Sequence, residues 1–197
     1  MKFVVRFVAM LTVVMGSITM ASAEGLKPYV GLGVGVFTLG IDDAAGSNTD
    51  EGIGAYLSAG VDVAKYLGAE VRIGTTTNES SFPAVLTEIR ADYIISYLGK
   101  LQIPFGNGLR LYGLGGGTTA IVYLGLPVSD RVTKTGFSFG GGFDYTFSGQ
   151  LFSDRYRIGV EAMRYLHNVD LPTLPGPFVN PATMTLDAIV GTLKYEF

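Results

Sequence analysis

Apolar and polar residues alternate along most of this chain, and this period of two restricts the fold more than any other feature. In the segment 53–63 the odd-numbered positions hold Ile, Ala, Leu, Ala, Val and Val, and the even-numbered positions hold Gly, Tyr, Ser, Gly and Asp. A β-strand places these two series on opposite faces, whereas a helix would scatter the apolar series around its circumference. The same alternation returns in 67–74, 89–102 and 137–147. The sequence therefore predicts an all-β protein.

The connections between the alternating segments differ in length in a regular order. The pattern indicates eight strands, at 28–39, 52–63, 66–76, 88–103, 109–122, 135–147, 155–166 and 184–197. Long connections at 40–51, 77–87, 123–134 and 167–183 alternate with short ones around Ala64-Lys65, 104–108 and 148–154. Outer-membrane barrels have short turns in the periplasm and longer loops outside the cell. We therefore expect an eight-stranded antiparallel transmembrane up-and-down β-barrel with short periplasmic turns and four longer extracellular loops.

The first 23 residues contain the three parts of a secretory signal peptide. Lys2 and Arg6 give a positive start, 7–15 is almost wholly apolar, and Ala21-Ser22-Ala23 is a small-residue cleavage site. We expect cleavage after Ala23, which leaves 24–197 as one outer-membrane β-barrel domain; the Ala-Ser-Ala ending disfavours an uncleaved anchor. Loss of Lys2 and Arg6 lowers the 14 basic residues to 12, against 17 acidic ones. With this acidic balance and no basic run, nucleic acid is not an expected partner.

Alternation alone does not say which face lies inside the barrel, because a secreted lipocalin-type barrel points its apolar face inward. On the apolar face of the last strand, the first charge met before Phe197 is Asp187. Ten residues at ~3.4 Å, tilted near 45°, cover about 24 Å, which is close to the whole apolar band of a membrane barrel. The polar faces carry both signs of charge, which are expected to pair within a narrow lumen. The expected lumen charge network contains Asp62, Glu70, Arg72, Arg90, Asp92, Lys100, Arg110, Asp144, Arg157, Glu161 and Lys194.

Aromatic residues near the strand ends are expected to form girdles at the two membrane interfaces. The chain has no Trp, so Tyr and Phe must form both girdles. The predicted periplasmic girdle contains Tyr29, Tyr66, Phe105, Phe147, Tyr156, Tyr195 and Phe197, and the predicted outer girdle contains Phe37, Tyr93, Phe137 and Tyr165.

The end of the chain and several internal segments resemble a known family. The chain ends in Leu193-Lys194-Tyr195-Glu196-Phe197, which resembles the signal by which the outer-membrane assembly machinery selects its clients. This resemblance implies that Tyr195 and Phe197 are the assembly signal. The segments 28–35, 65–70 and 153–161 resemble small eight-stranded outer-membrane barrels related to the transmembrane domain of outer-membrane protein A and to opacity-type surface antigens. The likeness covers the whole mature chain and implies a cell outer membrane location in a Gram-negative envelope.

Two features are candidates for a functional site. Eight-stranded lipid A deacylases use a His-Ser-Glu constellation near the position of His167, the only histidine, but Asn168 and Val169 follow it here without the nearby Ser of that family. Nucleophilic catalysis needs a hydroxyl within reach of its base. The acidic segment with Asp42, Asp43, Asp50 and Glu51 lacks the spacing of a calcium-binding EF-hand loop. No catalytic, cofactor or metal site is therefore expected.

The expected function is that of a non-enzymatic outer-membrane barrel with an envelope-structural or adhesin-like role through its external loops. A membrane-embedded lipid A-modifying enzyme and a small passive channel are the alternatives, although an eight-stranded barrel has an interior that side chains fill. The expected partners are outer-membrane lipid and lipopolysaccharide, the assembly machinery during biogenesis, and a host or environmental ligand at the loops. The protein is expected to be a monomer.

Overall fold

The computed structural model describes residues 26–43, 46–77, 80–82, 87–125, 130–147, 155–170 and 183–197, and the predicted signal peptide lies outside them. The strands are β1 Lys27–Asp43, β2 Gly46–Ala64, β3 Leu67–Thr76, β4 Ser80–Phe82, β5 Thr87–Pro104, β6 Leu109–Gly125, β7 Asp130–Thr146, β8 Tyr156–Asp170 and β9 Thr183–Glu196. A 3-10 turn at Gly106–Gly108 connects β5 to β6. The described residues include no helix that is long and apolar enough to cross a membrane.

The strands close on themselves. Neighbouring strands are antiparallel in the order β3-β2-β1-β9-β8-β7-β6-β5, and β5 also pairs with β3. The short β4 pairs with β5 beyond the end of β3, so β3 and β4 together occupy one position in the ring. Closure satisfies the backbone hydrogen-bonding groups without leaving a sheet edge in lipid. The predicted eight-stranded antiparallel barrel is confirmed.

The register of the strands sets the width of the barrel. The stagger can be read by starting at Glu51 on β2 and moving from each residue to its paired residue on the next strand. After one full circuit of the ring this path returns to β2 at Val61, so the stagger is ten residues. Such a stagger requires the strands to tilt, by roughly 35–45° in barrels of this kind. The interior of an eight-stranded barrel is just wide enough for side chains to fill it.

An apolar belt surrounds the outside of the barrel. Along β9 and the residue that follows it, the outward side chains of Ile189, Leu193 and Phe197 are between 47% and 65% exposed. The next outward residue towards the loop end is Asp187, and its two carboxylate oxygens accept hydrogen bonds from Arg164 at 2.7 and 2.8 Å. This ion pair marks the outer edge of the belt on this side. The belt is therefore about 24 Å high, close to the band of ~25 Å in outer-membrane barrels.

The interior of the barrel has two parts of different chemistry. Towards the periplasmic end the inward side chains are charged residues and tyrosines, whereas towards the loop end they are almost wholly apolar and buried. We call this second part the apolar upper interior; it includes Phe37, Leu39, Ile41, Ile94, Ala120, Val122, Met163, Tyr165, Leu166, Met184 and Leu186. The alternation predicts a polar inner face throughout, so this division differs from the prediction.

Three residues of the predicted girdles lie inside the barrel instead. Tyr29, Phe37 and Tyr165 are each 0% exposed, and the rings of Phe37 and Tyr165 stack with centroids 5.7 Å apart. In each case the face of the strand, not nearness to its end, decides the direction of the side chain. The outward members of the girdles include Tyr66, Phe105, Phe137 and Phe197, which are between 48% and 61% exposed.

The strands also extend further towards the loop end than the sequence indicated. β1 and β2 pair as far as Asp43 and Gly46, so most of the predicted loop 40–51 is strand. Beyond the belt, Ser47, Asn48 and Thr49 are all exposed. Both faces of a strand can be polar there, so the alternation disappears while the backbone pairing continues.

A bulge in β5 makes the predicted face of Ala91 wrong. The pairing of β5 with β6 shifts between Ala91 and Tyr93. One extra residue moves the next side chain along the strand to the opposite face. Ala91, predicted on the outward face, is accordingly 1% exposed.

Arginine on the belt is expected to destabilise the barrel according to its depth. Val71 faces outward near the middle of β3 and Leu67 faces outward at its periplasmic end, 44% and 49% exposed. Val71→Arg should lower the free energy of unfolding by about 2–4 kcal/mol and Leu67→Arg by about 0–1 kcal/mol. Urea unfolding in lipid vesicles measures both values. Equal costs at the two positions would contradict the belt.

Candidate functional site

The structure brings the described members of the predicted lumen charge network together in the periplasmic half of the interior. Eight of them are between 0% and 2% exposed: Asp62, Glu70, Arg72, Lys100, Asp144, Arg157, Glu161 and Lys194. Arg110 is partly buried, with 18% of its side chain exposed. The side chains of Arg90 and Asp92 lie outside the described part of the chain.

Arg72 connects opposite walls of the barrel. It extends from β3, and its two terminal nitrogens donate to both carboxylate oxygens of Glu161 on β8, one of them at 2.8 Å. β3 and β8 are four positions apart in a ring of eight strands, so this pair spans the full lumen. Arg72 also donates from Nε to Glu70 at 2.6 Å and lies over the ring of Tyr56, 4.5 Å from its centroid. A fully buried guanidinium thus has two carboxylates and an aromatic face as partners.

A second cluster closes the lumen nearer the periplasmic end. The carboxylate of Asp62, on β2, forms ion pairs with Lys100, with Arg110 at 2.9 Å and with Arg157 at 3.4 Å. These cations extend from β5, β6 and β8, so Asp62 gathers side chains from three other strands. Glu196 forms a further ion pair with Arg157 at 3.2 Å.

A third set of contacts lies between these two clusters. Lys194, on β9, forms an ion pair with Asp144 at 3.1 Å and donates to the hydroxyl of Tyr112 at 3.3 Å. The Tyr112 hydroxyl in turn donates to Glu161 at 3.0 Å. Lys100, a partner of Asp62, donates to the hydroxyl of Tyr29 at 3.0 Å, and Tyr29 donates to Glu70. The charged clusters are therefore joined into one network, in which the cations and carboxylates neutralise one another.

Tyrosines and Glu196 complete this network, and the predicted lumen charge network does not contain them. Tyr29 donates to Glu70 at 2.6 Å, and Tyr165 accepts a hydrogen bond from Arg72 at 3.0 Å. The available signal was the face of the strand: Tyr29 shares the face of Gly31 and Gly33, and glycines accompany the lumen charges on other strands.

Tyr195 and Phe197, the predicted assembly signal, lie on the outer face of the barrel wall. Phe197 is 48% exposed, and its ring packs edge-on against Tyr195 with centroids 5.2 Å apart. Tyr195 packs in the same way against Tyr156 at 5.1 Å. The backbone nitrogen of Phe197 donates to the carbonyl oxygen of Pro28 at 3.0 Å. The two residues therefore present aromatic surface at the periplasmic edge of the belt.

The arrangement of the other weighed residues supports no catalytic constellation in the described part of the chain. His167 is exposed, and its ring packs edge-on against Phe139 at 5.8 Å. No described hydroxyl or carboxylate forms a hydrogen bond with it. The described residues also include no group of three or more His, Cys, Asp or Glu that could hold a metal ion.

Removal of the central cation should destabilise the barrel rather than open it. Arg72→Met leaves Glu70 and Glu161 buried without their main partner, and loss of one side of a buried ion pair costs about 3–5 kcal/mol. Lys65→Met, at an exposed turn residue, is the matched control. Urea unfolding in vesicles measures stability, and planar-bilayer recording of the unmodified protein should show no steady open state. A reproducible ion-selective conductance in that protein would contradict the sealed lumen.

Comparison with known proteins agrees with this fold. The family model described as outer membrane protein beta-barrel domain matches residues 7–197. The crystal structure of Neisserial surface protein A is similar with a TM-score of 0.57 and 14% identity, over 88% of this chain and 100% of that one. The attachment invasion locus protein of Yersinia pestis, in complex with the heparin analogue sucrose octasulfate, is similar with a TM-score of 0.52 and 11% identity, over 85% and 99%. Among curated proteins, none matches the chain.

The family match covers nearly the whole chain, and its barrel architecture agrees with the closed ring, the outward apolar belt and the charged lumen described above. The localisation follows from the same observations, because the belt has the height of the outer-membrane hydrocarbon region. The chain belongs to the outer membrane protein beta-barrel domain family and is located in the cell outer membrane.

Proposed function

We propose that this protein is a non-enzymatic surface-interaction protein that binds its ligand through the strand ends projecting from the outer membrane. The observation that carries the proposal is the length of the β1–β2 hairpin. Its ladder continues from the pair Thr38 and Glu51, level with the edge of the belt, to the pair Asp43 and Gly46. This extension raises the hairpin about 12 Å above the belt as paired strand.

The hairpin is anchored by inward apolar side chains of β1 and carries exposed polar side chains on both of its strands. Leu39 and Ile41 are 1% and 3% exposed and pack in the apolar upper interior. Asp42, Ser47, Asn48, Thr49 and Glu51 are exposed. A rigid support beneath exposed polar groups lowers the entropy that a ligand must overcome on binding.

The charge of the hairpin favours a ligand with cationic and hydrogen-bonding groups. No basic residue occurs in 40–51, and Arg164, at the edge of the belt, is neutralised by Asp187. The Yersinia protein was crystallised with a sulfated heparin analogue, which is an anion. An acidic hairpin would repel such a ligand, so we infer a different ligand class for this chain.

The enzyme and channel alternatives have less support. His167 packs against Phe139 with no nucleophile beside it among the described residues. The ion pair of Arg72 and Glu161 crosses the lumen where a channel would need a water path. We propose that outer-membrane lipid and lipopolysaccharide surround the apolar belt and contact it non-specifically, without a dedicated binding site.

A binding assay with reversed charges tests the surface proposal. Asp42→Lys combined with Glu51→Lys should abolish saturable binding of the nanodisc-embedded protein to host cells and immobilised matrix proteins, because both exposed carboxylates would become cations. Lys65→Glu, which changes an exposed charge at the periplasmic turn, should bind like the unmodified protein. Identical binding by all three proteins would refute the proposal, as would binding of the unmodified protein to heparin alone.

We also propose that Tyr195 and Phe197 are read by the assembly machinery before the barrel folds. Phe197→Ser should reduce the amount of protein in the outer membrane while leaving export across the inner membrane intact. Because the Phe197 ring faces outward, the folded fraction should keep its resistance to unfolding on unboiled gels. Tyr156→Ser removes a neighbouring outward ring away from the chain end and is the matched control. Normal outer-membrane levels of the Phe197→Ser protein would contradict this role.

A further inference from the structure

The wall of the barrel is interrupted between β7 and β8 at the loop end. The ladder between these strands ends at the pair Phe139 and Arg164. Both strands continue beyond it, β7 back to Asp130 and β8 on to Asp170, yet the described residues include no pairing between 130–138 and 165–170. We call this interruption the β7–β8 gap. It begins at the outer edge of the apolar belt, where Arg164 pairs with Asp187.

Irregular backbone in β8 accounts for the gap. The pairing of β8 with β9 shifts twice, between Arg164 and Leu166 and between Leu166 and Val169. Asn168 has a φ of 47°, in the left-handed region that Asn tolerates better than most residues. Bulges bend a strand and redirect its side chains. The upper part of β8 therefore leaves the line of the wall.

The side chains redirected by these bulges enter the barrel. Tyr165 and Leu166 are consecutive residues, but both are 0% exposed. A Cβ added to Gly136 of β7 would lie 2.5 Å from Val169 Cγ2 and 3.2 Å from Leu166 Cδ2. Leu166 and Val169 therefore occupy the space that a side chain at position 136 would otherwise fill. At this height the gap is closed by apolar contact instead of backbone hydrogen bonds.

The gap ends at a set of hydroxyl groups that connect four strands. Ser138 Oγ donates to the carbonyl oxygen of Tyr165 at 2.6 Å and lies 2.7 Å from Thr118 Oγ1. Thr118 Oγ1 in turn lies 2.7 Å from Ser96 Oγ. These bonds hold β5, β6, β7 and β8 together immediately below the gap, so an opening would be confined to the loop end.

Apolar side chains lie on both sides of the gap. Outside lie the exposed rings of Phe137 and Phe139, with His167 against the second of these. Inside lies the apolar upper interior, with Met163 and Phe37 near the stacked ring of Tyr165. Below, the ion pairs of Arg72 and Asp62 close the lumen. A molecule that entered here would meet apolar side chains and would not continue to the periplasm.

We propose that the β7–β8 gap is a lateral opening through which a small apolar molecule passes from the outer leaflet into the apolar upper interior. Leu166 and Val169 form the movable closure, because side-chain rotation is enough to displace them and no backbone hydrogen bond must break. The lining selects against charged or strongly polar molecules, since their burial would leave polar groups without partners. This inference does not depend on the proposed surface function.

A reversible cross-link tests the opening. The chain contains no cysteine, so Gly136→Cys with Val169→Cys introduces one disulfide across the gap, where the two side chains approach each other. Thr119→Cys with Thr135→Cys is the matched control, since these residues face each other on β6 and β7 with hydroxyl oxygens 2.9 Å apart. Each protein is placed in lipid vesicles, oxidised or reduced, and exposed to the membrane-soluble photolabel trifluoromethyl phenyl diazirine. Fragment mass spectrometry then locates the labelled residues.

In the reduced gap variant and in both states of the control, we expect label on Phe37, Met163 and Leu166 as well as on the outward residues Phe137 and Phe139. Oxidation of the gap variant should remove the inner label and retain the outer label. Tyr29, below the charged network, should remain unlabelled in every state. Equal inner labelling of the oxidised and reduced gap variant would overturn the proposal, because the probe would then enter by another route. Absence of inner label from the unmodified protein would overturn it as well.

A second variant keeps the test decisive if the cross-linked protein fails to fold. Val169→Ala removes part of the closure and should increase the inner label relative to the unmodified protein, while the label on Phe137 stays the same. Its folding is checked by faster migration on unboiled gels. A folded Val169→Ala protein with unchanged inner labelling would contradict the role of Val169 as a closure.

Discussion

The ion pair between Arg72 and Glu161 holds opposite walls of the barrel in contact, and much of the lower interior is arranged around it. A buried guanidinium or carboxylate is costly unless it is paired and hydrogen-bonded. Glu70 and Tyr165, on the same two strands as this pair, and Tyr112 on β6 supply those additional bonds. The chain has no cysteine, so side-chain contacts and the closed backbone ladder hold the strands together without disulfides.

The two parts of the interior lie at different heights in the barrel and have different roles. The charged part lies within the membrane and blocks passage to the periplasm. The apolar upper interior begins near the outer edge of the belt, where it supports the β1–β2 hairpin through Leu39 and Ile41 and receives the redirected side chains of β8. Contact with the cell exterior and exchange with the outer leaflet therefore share one packed core above a closed base.

The sequence predicted the barrel and most of its lumen because one rule, the alternation of faces, governs both. Where the rule holds, as at Glu70 or Lys194, the inward direction follows from the neighbouring residues. It does not determine how far paired strands extend beyond the membrane, since polar residues then occupy both faces, as in 47–49. It also fails at bulges, because the extra residue at Asp92 turns Ala91 to the inner face. The girdle prediction is wrong for Tyr29 and Tyr165, because a side chain follows the face of its strand and both share theirs with inward neighbours.

The height of the belt has a consequence for where the protein is stable. A typical bilayer has a hydrocarbon core of about 30 Å, and the bacterial outer membrane is thinner than average. A belt of about 24 Å matches the thinner bilayer and would leave several ångströms of hydrophobic mismatch in a thicker one, at a cost of fractions of a kcal/mol for each ångström. The ion pair of Arg164 and Asp187 makes a thicker bilayer less favourable still, because the hydrocarbon would then have to cover two charged groups. Bilayer thickness would thus help to sort the folded barrel to the membrane in which it resides.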